Sequence, residues 1–355
     1  MEMNEPNCTS TFNIRGSMFN VLLTLLLLSS AANAAELRGV LDGRYLNLNW
    51  EAPDGKLQEA ATPNGPWQTL TTAVCPYRTA TAYPQRFYRL ILPAQGKNWL
   101  KVAAVTMGAK TNVATNLQTF FSYMERAASN GVDLVVFPEI ALQQCPAWGP
   151  ASHTPTAQEM AYVRQTAETI PGQSASNVVA KAKELNLFVV FGMTEKDQAG
   201  LLYNANVFLG PDGVIGKHRK RYLTGASYGL NEDQIWVPGQ VWDVFDSPLG
   251  KVGLLICLEM TFNPGPVLAG QGAVLLVTSS AWYSGSASTY DQVTTSNALQ
   301  ARRWHVVSDQ TGIGGMIPVL GHSRVVDSQG RIVCDTGTGE GLVMWATDIL
   351  IDARR

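Results

Sequence analysis

From Trp99 to the C-terminus, short apolar runs alternate with stretches of helical period, and this alternation limits the folds open to the chain. Val102–Met107 reads as a strand. Leu117, Phe120, Phe121, Met124, Ala127 and Ala128 then fall at helical spacing, and Asn130-Gly131 supplies a stop. A strand over Val132–Phe137, a helix over Ser174–Leu185 and a strand over Leu187–Phe191 repeat the pattern. Strands Tyr203–Leu209 and Val214–Arg219 are joined by the turn Pro211-Asp212-Gly213. Further strands are expected at Val252–Ile256, Ala273–Val277, Val306–Asp309 and Leu342–Ile349. His322–Asp327 and Arg331–Asp335 form a hairpin about Ser328-Gln329-Gly330. Alternation mixed with hairpins predicts an α/β protein with a mixed sheet. With 46% hydrophobic and 15% charged residues, the chain can bury a large core. A net charge of −2 and the lack of a basic block argue against a nucleic-acid partner.

Residues 36–96 read as a small β-rich module. Short alternating runs at Tyr45–Trp50, Lys56–Ala60, Trp67–Leu70 and Arg86–Leu90 are separated by Pro53-Asp54-Gly55 and Pro63-Asn64-Gly65-Pro66. A spacer or surface-binding role is expected for it. Residues 1–35 read as a leader outside the fold. The apolar run Met18–Leu28 follows Arg15 and ends before Ala32-Asn33-Ala34, a small-residue cleavage pattern. The run is too short for a good membrane-spanning helix. An exported protein, periplasmic or secreted, with no membrane span after cleavage, is therefore expected; an uncleaved anchor is the alternative, and translation from Met18 is open.

Four cysteines remain after cleavage: Cys75, Cys145, Cys257 and Cys334. They are too scattered for a compact disulfide scaffold, and no Cys-x-x-Cys spacing suggests zinc, so no metal is expected. If Cys257 is a free catalytic thiol, at most one bridge forms among the other three.

Three reactive groups sit at the ends of expected strands. Glu139 follows Leu134-Val135-Val136-Phe137-Pro138, Lys220 lies in Lys217-His218-Arg219-Lys220-Arg221, and Cys257 ends Val252–Ile256. A cysteine is mostly thiol at neutral pH and needs a base to become a good nucleophile. His153, His218, His305 and His322 are candidates for that base, and a desolvated carboxylate such as Glu139 can also serve. Attack on an amide carbonyl places negative charge on oxygen. A fixed cation such as Lys220, with the N–H of Leu258, would stabilise it. Each residue also has a bland reading: a packed core thiol, a loop carboxylate, a solvated basic face in which Lys217 competes with Lys220. Their combination and order favour one site.

The flanks resemble the nitrilase superfamily, the carbon–nitrogen hydrolases. The carboxylate motif reads Asp133-Leu134-Val135-Val136-Phe137-Pro138-Glu139, the lysine motif Gly216–Leu223, and the cysteine motif Gly250–Met260. Aligning the Arg-Lys step of that family selects Lys220 over Lys217. Gly272–Val277 and Ser280-Ala281-Trp282 follow in family order, and Glu232, ahead of Trp236-Val237-Pro238-Gly239, matches the family's second glutamate. The resemblance covers residues 99–352 and assigns 97–355 to a carbon–nitrogen hydrolase domain. It implies a four-layer α-β-β-α sandwich that commonly forms a homodimer, and an enzyme with no cofactor. Catalytic roles fall to Glu139, Lys220, Cys257 and Glu232. Leu258 and Trp282 would line the pocket for a small-molecule amide or nitrile.

Departures leave the substrate open. Leu258 stands where nitrile-specific members usually carry Trp, while Glu259 and the Lys-His-Arg-Lys run look nitrilase-like. Many amidases have Cys-Tyr-Asp or Cys-Phe-Asp instead. An amidase forming a Cys thioester is expected, with a nitrilase as the alternative. Export and Pro264-Gly265-Pro266 faintly resemble the pantetheinase and biotinidase branch. A non-catalytic binding protein is disfavoured because the three groups are present. Acyl transfer to an amine is disfavoured because the many membrane helices of the acyltransferase members are missing. Gly225-Ala226-Ser227-Tyr228-Gly229 matches a serine nucleophile elbow, but the basic run before it is unsuited to a central strand. Thr336–Gly341 is Gly-rich and reads as a turn.

Overall fold

The computed structural model describes residues 8–13, 22–27, 37–42, 45–50, 56–60, 68–70, 77–80, 87–91 and 97–352. The chain divides into two compact units between Trp99 and Leu100.

The first unit contains β1 (Cys8–Asn13), β2 (Leu22–Leu27), β3 (Leu37–Asp42), β4 (Tyr45–Trp50), β5 (Lys56–Ala60), β6 (Gln68–Thr69), β7 (Tyr77–Ala80) and β8 (Phe87–Ile91). They form two sheets, ordered β1-β2-β8-β5-β6 and β3-β4-β7. Leu46, Leu48, Leu57, Ala60 and Tyr88 are buried. Two pieces of the expected leader are strands, with β2 antiparallel to β1. A short leucine run has no period that tells a leader from a strand. Arg15, Ala32–Ala34 and Cys75 lie outside the described residues.

The second unit holds β9 (Lys97–Thr106) from Leu100 onward, α1 (Val113–Ser129), β10 (Leu134–Val136), α2 (Ala157–Thr166), α3 (Gln173–Leu185), β11 (Phe188–Lys196), β12 (Leu202–Gly210) and β13 (Gly213–Arg219). β14 (Val244–Phe245), β15 (Val252–Ile256), α4 (Gly265–Gly270), β16 (Leu275–Ser280), α5 (Ala287–Ala301) and β17 (Trp304–Asp309) follow. The chain ends in β18 (Thr311–Gly314), β19 (Ile317–Leu320), β20 (Arg324–Val326), β21 (Ile332–Asp335) and β22 (Gly341–Asp352). Two six-stranded mixed sheets result, ordered β13-β12-β11-β10-β9-β22 and β14-β15-β16-β17-β20-β21. In each, three central strands are parallel, β9-β10-β11 and β15-β16-β17; β12 lies antiparallel beside β11, β14 beside β15 and β20 beside β17.

Period-2 alternation builds the layers. Val102, Ala104, Leu134, Val136, Val190 and Phe208 of the first sheet meet Val252, Leu254, Leu275, Val277 and Val306 of the second. The intervening residues, such as Ala103, Val135, Phe137, Val189 and Phe191, pack on Phe120 and Met124 of α1 and Val178 and Ala182 of α3. On the outer face of the second sheet, Leu255 and Leu276 meet Leu268 of α4 and Ala301 of α5. The architecture is the four-layer α-β-β-α sandwich.

α1 matches its expected signals. Asn112 caps its start by accepting the Thr115 N–H at 2.9 Å, and it ends at Asn130 before Gly131, whose φ of 68° suits glycine. α5 had no such signal. Its buried side includes Thr294 and Asn297, so it lacks an apolar stripe. Asn297 instead donates to the Met260 carbonyl and accepts the Gly265 N–H, tying α5 to the segment after Cys257.

Candidate active site

The site forms where strands of both sheets end. Glu139 follows β10 by a short turn, and its N–H reaches the Ser280 carbonyl at the end of β16 in the other sheet, 3.2 Å away. Gly192 of β11 runs against this turn and donates to the Pro138 carbonyl at 3.1 Å. A Cβ on Gly192 would lie 2.5 Å from the Ile140 nitrogen and 2.6 Å from Glu139 Cα, so only glycine permits the approach.

The Glu139 carboxylate is buried and held on both oxygens. Oε1 accepts from Lys220 Nζ and from Asn204 Nδ2, each at 2.7 Å, and Oε2 accepts the Ala281 N–H at 2.9 Å. The Glu139 carbonyl accepts from Gln310 Nε2 at 2.6 Å.

Lys220 follows β13. Its N–H donates to the Asn204 carbonyl and its carbonyl accepts the Gly239 N–H, both at 2.8 Å. Its ammonium bridges Glu139 Oε1 at 2.7 Å and Glu232 Oε1 at 2.8 Å, with Thr224 Oγ1 at 3.4 Å. Burial alone would lower this ammonium, but Glu139 and Glu232 outweigh it and hold Lys220 well above its usual range. Glu232 opens a 3₁₀ turn, and its Oε2 accepts the Thr224 N–H at 2.8 Å. Burial raises the Glu232 carboxyl, against the opposing pull of Lys220.

Cys257 follows β15 in the left-handed region, with φ of 47°, and starts the 3₁₀ turn Cys257–Phe262. A non-glycine residue held there marks a sharp elbow. Burial and the neighbouring Glu139 push the thiol well above its usual range, and Lys220 works against them. Cys257 therefore rests as a thiol at neutral pH and needs a base during attack. Leu258, buried, is the next residue in the turn. Trp282 is buried beside Cys257, Met260 and Tyr290; its N–H is accepted by Asp309 Oδ1 at 2.7 Å and its indole donates to the Ser286 carbonyl.

No histidine hydrogen-bonds to Cys257 among the described residues. His153 pairs with Glu159, His322 with Asp335, and His305 with Thr278. His218 is buried between Asp243 and Glu259. Lys217 leaves the site and pairs with Glu195. Ser227 is exposed in the 3₁₀ turn Ala226–Tyr228 and follows no strand, so the serine elbow is not formed. Thr336–Gly341 is a turn leading directly into β22. Cys145, Cys257 and Cys334 are free thiols.

Residues 101–350 match the family model Carbon-nitrogen hydrolase. The chain belongs to that family. This hydrolase is 28% identical over 264 residues to omega-amidase NIT2 of Mus musculus, a match spanning 70% of this chain and 88% of the relative. The Homo sapiens protein of the same name is 27% identical over the same span. Among solved structures, Nit3 of Saccharomyces cerevisiae, a member of the nitrilase superfamily, superposes with a TM-score of 0.61 at 23% identity, covering 73% of this chain and 91% of its own. An amidase from Nesterenkonia sp. gives 0.62 at 19% identity, covering 73% of this chain and 93% of its own. The two solved structures share the sandwich fold of this hydrolase.

Several residues of the site carried no sequence signal of their own. Asn204 and Gln310, which hold Glu139, lie within or beside apolar strands, where a lone amide resembles any satisfied core polar group. Glu259 was read as a hint about substrate. It accepts the Ile256 N–H at 2.6 Å, the Arg221 N–H at 2.7 Å and His218 Nε2 at 2.9 Å. It therefore ties the strand end of Cys257 to that of Lys220.

Proposed function

We propose that this hydrolase is an amidase that cleaves a small linear amide through a thioester on Cys257. The observation that carries the reading is the Lys220 ammonium bridging Glu139 and Glu232 at 2.7 and 2.8 Å, beside the Cys257 elbow. Glu139 takes the thiol proton as sulfur attacks the carbonyl carbon, and the π electrons move to oxygen. Two of the Lys220 protons are engaged by carboxylates, and among the described residues the third meets Thr224 at the long distance of 3.4 Å. That N–H and the Leu258 N–H receive the oxyanion. Glu139 passes its proton to nitrogen, the C–N bond breaks, and ammonia or an amine leaves. Water then adds to the thioester, giving a proton to Glu139. The C–S bond breaks, sulfur regains a proton, and the acid departs. Trp282 is proposed to form part of the acyl pocket.

Amide is favoured over nitrile for a specific reason. Glu259 and His218, the latter from the nitrilase-like Lys-His-Arg-Lys run, pair with each other behind the elbow. They are thus accounted for without reference to substrate. The relatives named omega-amidase and the amidase from Nesterenkonia sp. add support. A mutant of that amidase, with glutamine replacing a glutamate, carries the acetamide moiety of fluoroacetamide on its active-site cysteine. Export of the mature hydrolase is a further part of the reading, supported by the leader pattern Met18–Ala34.

Incubation with a panel of small amides and nitriles, followed by intact-protein mass spectrometry, tests the chemistry. An acyl adduct on Cys257 and loss of turnover in Cys257→Ala are expected. Turnover that survives the substitution refutes the mechanism, and faster acid release from nitriles than from amides reverses the substrate assignment. N-terminal sequencing of the mature protein should begin after Ala34.

A further inference from the structure

A small cavity lies against Glu139, walled by Trp148, Asn204, Glu232, Trp236, Ala281 and Gln310 among others. It has room for about one water.

Four lining residues are 1 to 6% exposed, and each has a buried polar atom with no hydrogen-bond partner among the described residues. These are Trp148 Nε1, Trp236 Nε1, Asn204 Oδ1 and Gln310 Oε1. An indole nitrogen can only donate, and an amide oxygen can only accept. The amide orientations follow from Glu139. Asn204 Nδ2 must face the Glu139 carboxylate and Gln310 Nε2 the Glu139 carbonyl, so neither amide can be flipped without setting oxygen against oxygen. The lining residues therefore carry two unpaired donors and two unpaired acceptors. Water has two lone pairs and two protons, the complement of two donors and two acceptors. Ammonia has a single lone pair for two indoles. A carboxylate has no proton for the amide oxygens and would face Glu139 and Glu232.

We propose that Trp148, Trp236, Asn204 and Gln310 form a holding site for one water molecule beside Glu139, and that this water hydrolyses the acyl-enzyme. The kinetic part rests on the thioester reading above. The stored water lies next to the carboxylate that accepts its proton when its oxygen adds to the thioester carbon. Both amides are oriented by that same carboxylate residue, so the base and the water site are built as one unit. Trp148 and Trp236 are positioning residues that act on the water.

The test removes one donor at a time with Trp148→Phe and Trp236→Phe, using an amide that acylates the wild type. Loss of one hydrogen bond to the water should slow acyl-enzyme hydrolysis about tenfold, with a smaller effect on acylation. The thioester should then accumulate by mass spectrometry. Partition to added hydroxylamine, read as hydroxamate against acid, should rise by a similar factor, because hydroxylamine does not need the site. Hydrolysis at the wild-type rate, or acylation and hydrolysis falling together, overturns the kinetic role. A crystal structure of the wild type tests the site without any reaction. An ordered water within hydrogen-bonding distance of the four atoms is expected, and a dry cavity overturns the proposal. If no amide acylates the wild type, the thioester reading fails, and the crystal structure alone still decides the water site.

Discussion

His218 Nε2 lies 2.9 Å from Glu259 Oε2, and neither side chain is exposed to solvent. On its other side, Nδ1 meets Asp243 Oδ2 at 2.7 Å. Burial alone would lower the imidazole, but Glu259 and Asp243 outweigh it and raise His218 to about 9. The imidazolium thus sits behind the carboxylate that joins the Cys257 and Lys220 strand ends.

A pH dependence of stability follows. The folded value of about 9 lies above the ordinary histidine value. The contribution is therefore complete below a pH of about 6.5 and is lost as pH rises through the folded value, an effect of about 3 kcal/mol at most. Urea midpoints of the wild type should fall across that window. The double variant His218→Gln/Glu259→Gln, which neutralises both partners, should be flat there. Parallel curves for the two proteins would remove the pair from the account.

Gly192→Ala should damage the site without touching a reactive group. The added methyl would sit 2.5 Å from the Ile140 nitrogen and 2.6 Å from Glu139 Cα. The turn that carries Glu139 must shift, and a misplaced base lowers kcat about a hundredfold. Amide turnover together with a thermal melt checks this. Unchanged kcat in a folded variant would mean that Glu139 tolerates the displacement.

The resting thiol makes a chemical prediction. Burial and Glu139 hold Cys257 protonated. Alkylation by iodoacetamide, followed on the Cys257 peptide by mass spectrometry, should accelerate steadily from neutral pH into the alkaline range without reaching a plateau. A plateau near neutrality would mean a preformed thiolate. Cys145 and Cys334, each pushed by burial up to about 12, are likewise thiols at neutral pH and should show no plateau there either.

Lys220→Met should cost both activity and stability, for separable reasons. It leaves the carboxylates of Glu139 and Glu232 buried without their shared cation, a change worth about 3–5 kcal/mol. Adding Glu232→Gln relieves the repulsion and should recover part of the melting temperature. Amide turnover should stay down, at least about a hundredfold, because the oxyanion donor is still missing. Turnover recovering along with stability would make Lys220 a structural residue alone.

The layers and the order of the reactive groups were legible in the chain because both rest on local pattern. The bounds of Val252–Ile256 match because a run of that length after Gly250 and rich in Val, Leu and Ile suits a strand buried on both faces, and α1 announces itself by period and stop. α5 did not, because its buried side includes polar groups that are satisfied only in place, such as Asn297 on Met260 and Gly265. Lys217 and Lys220 show the division most plainly. Sequence order offered two lysines on one basic strand, and only the resemblance separated them. In three dimensions Lys217 meets Glu195 at the edge, while Lys220, one residue past the strand, meets Glu139 and Glu232 in the interior. Strand ends, charges and apolar faces are properties of neighbours along the chain, so the sequence by itself determined them. Which carboxylate meets which cation, which amide turns toward Glu139, and what Glu259 ties together depend on contacts between residues tens to hundreds of positions apart. Only the packing of the two sheets decided those.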